Sequence, residues 1–480
     1  MHANITKKLS NLSTGVGLVL LCYMAYATIY GPYKTTFVHL AIFALCSFAA
    51  LFLDSITQNM ASKVGILKNF LLLTTSVSVL GYFIIEFERL INLWGSTYLS
   101  SLDILLGGFF VIICIEASWR QSLVLGSLAL TSCFYMIFGD RLPGIFSHAG
   151  MDFERFIYIV VYTSEGLFGT GLKVAATYLF MFVILGSVLR VTKTGDFMID
   201  MANSLLGSKV GGAAKGAMVA SAGLGTIVGS SIGNVLATGT FTIPLMKQTG
   251  FEPHVAAAVE TNTSEGAQLV PPILGASAFI MAQLTGIPYE VIALAAVVPA
   301  SLYYFSLYSV VHIESIKHNI SGLPDEEIPS VKKTFTRGWH LLVAPISLFY
   351  LLLIGSYTVT FASLVAIFIA GFFGLLRKHT RFTLKELIAF LSEGLSQSAR
   401  ITALVISIGL IQAAIVATGL GPRLTDIILD FSNGSLLMTA GLTVVAATVL
   451  GMGMPTPITY LLLTMFAAPA LIECGSTVLS

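Results

Sequence analysis

Two short runs carry most of the oxygen-bearing side chains that set this sequence apart. The first is Gly229-Ser230-Ser231-Ile232-Gly233-Asn234, with Thr238 and Thr240 just beyond it. The second is Thr261-Asn262-Thr263-Ser264-Glu265-Gly266-Ala267-Gln268, followed by Pro271-Pro272. Both fall within residues 211–272, a stretch too apolar for a soluble surface and too rich in Gly, Ser, Thr, Asn and Pro for a plain membrane helix. Broken backbone at membrane depth is tolerated only where protein or a water-filled cavity satisfies the freed N–H and C=O groups. Hard cations such as sodium take oxygen ligands. An unwound tip at 229–234 supplies backbone carbonyls together with the side chains of Ser230, Ser231 and Asn234. The half-helix after it offers free N–H groups and a positive dipole end to a carboxylate.

In the second run, Asn262, Thr263, Ser264 and Gln268 add side-chain oxygens. Pro271 and Pro272 remove donors and free carbonyls. Glu260 and Glu265 are carboxylates in an apolar setting, where an unpaired charge is expensive and functional by default. Each either serves an ion or proton, pairs with a lysine or arginine, or reaches the interface. A sodium site is expected at Ser230, Ser231, Asn234 and Glu265. A third run, Gly451-Met452-Gly453-Met454-Pro455-Thr456, with Thr459 beyond it, mirrors the first. The bland alternative for all three is small-residue helix packing, which is common in membranes.

Residues 229–233 also match the G-x-S-x-G nucleophile elbow. That reading needs a strand before Ser231 and a histidine–acid pair. An Ala/Gly-rich helical run precedes it instead, and the nearest histidine, His254, lies past the Lys247 flank. There is no H-E-x-x-H and no G-x-x-x-x-G-K-[ST], so zinc proteolysis and ATP-driven transport have no motif behind them. Neither an enzymatic activity nor an organic cofactor is expected.

The elements that position these residues must be membrane helices. Of 480 residues, 56% are hydrophobic and 10% charged, with mean hydropathy +0.88, where soluble domains carry about 25% charged residues. A net charge of +1 gives no reason to expect nucleic-acid binding. The cysteines Cys22, Cys46, Cys114, Cys133 and Cys474 form no CxxC or Cys/His cluster and read as buried thiols. The first span follows Lys7 and Lys8 and is read as a retained helix, not a removed signal peptide.

Apolar runs near the 17–25 residues a crossing helix needs lie at about 14–31, 37–53, 69–85, 104–118, 122–138, 173–189, 291–311, 341–356, 360–376 and 401–418, and a further crossing, interrupted at 261–272, is read at 251–286. Lysines and arginines on alternate connections place the N-terminus in the cytoplasm. Residues 196–207 form an interfacial amphipathic helix, and the hydrophilic loop 312–340 is read as cytoplasmic. Glu165-Gly-Leu167 opens one unit and Glu393-Gly-Leu395 a second, weakly similar one about 225 residues later. With an odd number of crossings between them, these read as an inverted repeat. The expected fold is an all-α polytopic membrane protein, an inverted-repeat transporter with two re-entrant helical hairpins. Its expected divisions are 1–140, 141–317, 318–392 and 393–480. The second repeat reads as incomplete, because a counterpart of Pro271-Pro272 would fall beyond Ser480.

Particular segments carry a family resemblance. EGLFGTGLKVAATYLFMFVILGSVL from Glu165, GSSIGNVLATGTFTIPLMKQTGF from Gly229, EGAQLVPPILGASAFIMAQLTGIPY from Glu265, VVPASLYYFSLYSVVHIE from Val297 and GMGMPT from Gly451 resemble the large membrane subunit of tripartite ATP-independent periplasmic (TRAP) transporters. The likeness is greatest to TAXI-type permeases, in which small and large subunits are one chain. It runs from about Glu165 to Leu471; the first five spans are similar to the small subunit in hydropathy and position. The resemblance implies sodium-coupled uptake of small organic acids across a bacterial or archaeal inner membrane, with an elevator-like transport domain. It also implies a TAXI-type periplasmic binding protein as partner. Glu265, where the family has small or amide residues, and Ala267, in place of a second glycine, depart from its pattern. A proton-coupled or binding-protein-independent carrier keeps the same fold.

Overall fold

The computed structural model describes residues 2–58, 62–92, 99–228, 231–271, 274–324, 326, 328–355, 357–451 and 456–478. Its first helices are α1 (His2–Tyr30), α2 (Thr36–Gln58), α3 (Lys63–Ile85), α4 (Phe87–Asn92), α5 (Ser101–Gln121), α6 (Leu123–Phe138), α7 (Phe153–Tyr162) and α8 (Thr170–Val174). There follow α9 (Phe180–Val191), α10 (Thr194–Leu206), α11 (Gly212–Val228), α12 (Ser231–Gln248), α13 (Pro253–Gly266), α14 (Ala276–Thr285) and α15 (Tyr289–Lys317). The rest are α16 (Val331–Gly338), α17 (Val343–Leu353), α18 (Val359–Leu376), α19 (Leu384–Thr418), α20 (Leu420–Ser432), α21 (Leu436–Gly451) and α22 (Thr456–Glu473).

No β-strand occurs among the described residues. Among the described residues, ten segments are long and apolar enough to cross a membrane: 8–30, Thr36–Gln58, Lys63–Ile85, Ser101–Gln121, 123–141, 170–191, Tyr289–Lys317, 331–353, Val359–Leu376 and Leu384–Thr418. They coincide with the ten uninterrupted apolar runs of the sequence; the crossing expected at 251–286 is divided between α13 and α14, each too short to be among them. The reason is the bilayer itself: without water, the backbone must satisfy its own polar groups, and a helix does so within one segment. The chain is an all-helical, multi-pass membrane protein.

Contacts divide it into two compact units, residues 1–177 with 395–480 and residues 178–394. In the first, α2 is a well-buried span packed between α1 and α3, and α3 packs on α5. Phe83, Phe110, Tyr162 and Phe168 form a cluster of ring contacts at centroid distances of 5.6–5.9 Å. Beside it Asp103 is fully buried and tied to Arg89 on α4 at 2.7 Å. At the other end of the sequence, α20, α21 and α22 pack on one another. The second unit is built on α11, α12, α13 and α15, whose shared core includes Ala214, Met218, Met246, Phe251, Val259 and Val311. Helix α10 is the amphipathic helix expected at 196–207, and it packs on α11 and α16.

Candidate functional site

The composition of α11 lets its neighbours come close. Gly, Ala and Ser make up most of its surface, and small residues allow backbones to approach in membranes. Gly225 is the tightest point: a Cβ there would lie 2.1 Å from the Ala267 Cβ and 2.8 Å from the Asn234 Nδ2. On α12, Asn234, Thr238 and Thr242 recur every four residues and share one face, and all three are buried. On α13, Glu260 and Ser264 are spaced the same way, and both are buried. Ser221 of α11 completes the group.

These six side chains meet around the Glu260 carboxylate. Thr238 Oγ1 donates to Glu260 Oε1, and Thr242 Oγ1 donates to Oε2 at 2.6 Å. The hydroxyls of Ser264 and Ser221 stand 3.3 and 3.4 Å from Oε1 and 3.1 Å from each other. Asn234 Nδ2 donates to the Ser221 carbonyl at 2.8 Å and lies 2.9 and 3.2 Å from the Ser221 and Ser264 hydroxyls. The Asn234 Oδ1, also buried, finds no partner among the described residues. Glu260 is 0% exposed, and none of the ion pairs among the described residues includes it. An ionised carboxylate so enclosed costs several kcal/mol unless a counter-charge is present. The arrangement therefore offers a small cation a carboxylate, with hydroxyl and amide oxygens ready as further ligands.

The other expected residues lie as follows. Ser231 opens α12 and is half-buried, while Gly229 and Ser230 lie outside the described residues. Thr240 points away from Glu260 and lines a separate cavity of about 390 Å³ with Arg190, Lys193 and Arg381. Pro244, four residues on, has no N–H to offer the Thr240 carbonyl. Thr263 is buried, but its hydroxyl turns back to the Val259 carbonyl at 2.7 Å. Asn262 is exposed and likewise bonds the Ala258 carbonyl at 2.8 Å. Glu265 is exposed, not enclosed, and accepts from Gln268 Nε2 at 3.2 Å. The expected grouping of Asn234 with Glu265 is thus replaced by Asn234 with Glu260, because positions 260 and 264 face α12 and 265 is a further 100° around the helix.

The break also falls later than the sequence suggested. Residues 261–266 are regular helix, since the Thr261, Asn262 and Thr263 side chains bond carbonyls one turn earlier and so fit a helix. After a 3-10 turn at Ala267–Leu269, α14 begins only at Ala276. Leu274 is held at φ 58°, and Gly275 N–H donates to the Gln268 carbonyl at 2.6 Å. Pro271 lines a cavity of about 390 Å³ with Lys215 and Tyr308; Pro272 lies outside the described residues. In the other unit, Gly451 ends α21 and Thr456 opens α22, with Gly453 and Pro455 outside the described residues. Thr459 is buried there, and its hydroxyl has no partner among the described residues.

Ser221 and Thr242 were absent from the expected set. The signal was the four-residue spacing of 234, 238, 242 and of 260, 264 in otherwise apolar helices, stronger than the Gly-Ser break beside it. The hydrolase reading fails: Ser231 follows no strand among the described residues, and His254 is exposed, 3.3 Å from Glu252.

With this geometry in view, the comparisons with known proteins are specific. The family described as "Tripartite ATP-independent periplasmic transporter, DctM component" matches residues 106–478. A Haemophilus influenzae protein that carries the name TRAP transporter large permease protein is 24% identical over 296 residues, 61% of this chain and 68% of that protein.

Proposed function

Because the chain belongs to the DctM family of TRAP transporters, we propose that it is the membrane permease of a secondary transporter importing small organic acids. The family is one of transporters, not enzymes. TRAP transporters generally work with a periplasmic binding protein, and we assign this chain such a partner, of the TAXI type, in a bacterial or archaeal inner membrane. The matched region begins at residue 106; we read the first five spans, residues 1–140, as the portion equivalent to a small subunit. The two helix pairs, α11–α12 and α21–α22, are assigned as the re-entrant hairpins of an alternating-access mechanism.

For coupling, the observation that carries the reading is the enclosed Glu260 carboxylate, ringed by hydroxyls and paired with no base among the described residues. Sodium is the first assignment. Glu260 and the free Asn234 Oδ1 offer the anionic and neutral oxygens that such an ion takes. The same carboxyl, held only by hydroxyl groups, favours a second reading, proton coupling. The test is uptake of a panel of radiolabelled organic acids into proteoliposomes, with the cognate binding protein supplied. Replacing sodium by choline abolishes uptake under the first reading. Under the second, uptake follows an inward proton gradient without sodium. Glu260→Gln lowers coupled uptake about 100-fold in either case. Full uptake by that variant under both gradients defeats the assignment.

A further inference from the structure

Lys215 is the basic counterpart of Glu260: an ionisable side chain shut inside the second unit with no opposite charge beside it. It lies in the first turn of α11 and is 2% exposed. Its ammonium donates to the Val210 carbonyl at 2.6 Å and to His312 Nδ1 at 3.0 Å, and lies 4.8 Å from the centre of the Tyr308 ring. An imidazole nitrogen that accepts from an ammonium belongs to a neutral ring. Two of the three ammonium N–H groups are used in this way, and the third has no acceptor among the described residues. No partner carries a negative charge, and none of the ion pairs among the described residues includes Lys215. A cation so enclosed costs several kcal/mol until an anion reaches it.

Lys215 also lines the cavity of about 390 Å³ that holds Pro271. This cavity is a slot between α11 and α15. On α11 it takes Lys215, Val219 and Ala222, and on α15 Val297, Ser301 and Tyr308, each set spaced along one helix face. Because Lys215 meets Tyr308, the two helices run in opposite directions past the slot, with Ala222 and Val297 at the far end. At the helical rise this is about 10 Å of α11 and about 16 Å of α15. Val219 and Val297 are 51% and 45% exposed, so the slot opens along the side of α15, a helix long and apolar enough to cross a membrane.

The lining selects the occupant. Lys215 is the one charged side chain among the described residues that line the slot. The Ser301 and Tyr304 hydroxyls there are turned to the Val297 and Thr263 carbonyls, at 2.7 and 2.8 Å. One cation with no acid beside it suits one carboxylate. A second carboxylate further along would lie against apolar wall without a partner, which is costly. We propose that this slot binds a monocarboxylic acid with an apolar chain, its carboxylate on the Lys215 ammonium and its chain between α11 and α15. None of the six side chains around Glu260 lines the slot, so the proposal stands whether or not Glu260 couples transport.

The test is photolabelling of the full chain in phosphatidylcholine vesicles with a diazirine-bearing decanoic acid, followed by mapping of the labelled peptides. Label is expected on residues 215–222 and 297–308. Octanoate protects them, and octanol and succinate do not. Lys215→Met lowers labelling about tenfold. Ser301→Phe, at an exposed position, fills the slot without touching Lys215 and lowers labelling as much; it decides the matter should Lys215→Met not fold. Lys209→Gln, an exposed lysine outside the slot, leaves labelling unchanged. Octanoate added from water and palmitate preloaded in the vesicles are compared as competitors. Protection by either supports the site, and the stronger of the two tells aqueous from bilayer supply. Label absent from both helices, label undiminished in Ser301→Phe, or protection by neither acid overturns the proposal. Octanol or succinate protecting as well as octanoate also overturns it, since the slot then reads the chain alone or the charge alone.

Discussion

Asp103 and Glu260 are both closed off from solvent completely, yet the two units hold them in opposite ways. Asp103 receives the Arg89 guanidinium on both oxygens, at 2.7 and 3.0 Å. It also accepts from Tyr82 Oη at 2.7 Å and from Ser100 N–H and Oγ at 2.9 and 2.7 Å. Its lone pairs are filled and its charge is balanced, so it works as a staple among α3, α4 and α5. Glu260 has hydroxyl partners alone, with the Asn234 Oδ1 left over nearby. A carboxylate whose counter-charge is built into the protein cannot respond to an ion gradient. One whose counter-charge must come from outside can. The difference lies in the partners, since burial is the same for both.

The contrast is open to attack at several points. The largest effect is expected from Arg89→Ala, which strands the Asp103 charge and lowers unfolding stability by about 3–5 kcal/mol, measured by denaturation in micelles; an unchanged midpoint would show that Asp103 is not a staple. Glu260→Gln should do the reverse, changing stability by less than about 1 kcal/mol while removing any rise in melting temperature that sodium, against choline, produces. If that rise persists, the cluster is structural as well. Gly225→Ala should destabilise by about 1–3 kcal/mol through overpacking, because the new methyl group meets Ala267 and Asn234; sodium response should fall with it. Smallest is Thr242→Val, which removes one hydroxyl from Glu260 Oε2 and should weaken the apparent cation affinity roughly tenfold, read from uptake against sodium or proton concentration.

Particular residues show how far the chain could be read in advance. The ten apolar runs were legible because burial in lipid forces long uninterrupted hydrophobic stretches. Asn234, Thr238 and Ser264 were singled out because polar oxygens are rare in such stretches. Glu265 was preferred over Glu260 for its place within the run of polar residues, but sequence neighbours on a helix point in different directions. Ser221 passed unnoticed, since one serine in an Ala/Gly-rich helix carries no local mark. The slot at Lys215 was invisible for a related reason: Lys215 and its partner His312 are separated by 97 positions.

What the sequence determined alone is the place of the ten long apolar helices and the broad class, because hydropathy is a sum over consecutive residues and needs no partner. Which carboxylate is enclosed, and whether a base accompanies it, was decided only when α11, α12 and α13 packed together. Solvation and pairing of a charge depend on every atom within a few ångströms, and around Glu260 those atoms come from residues up to 39 positions away.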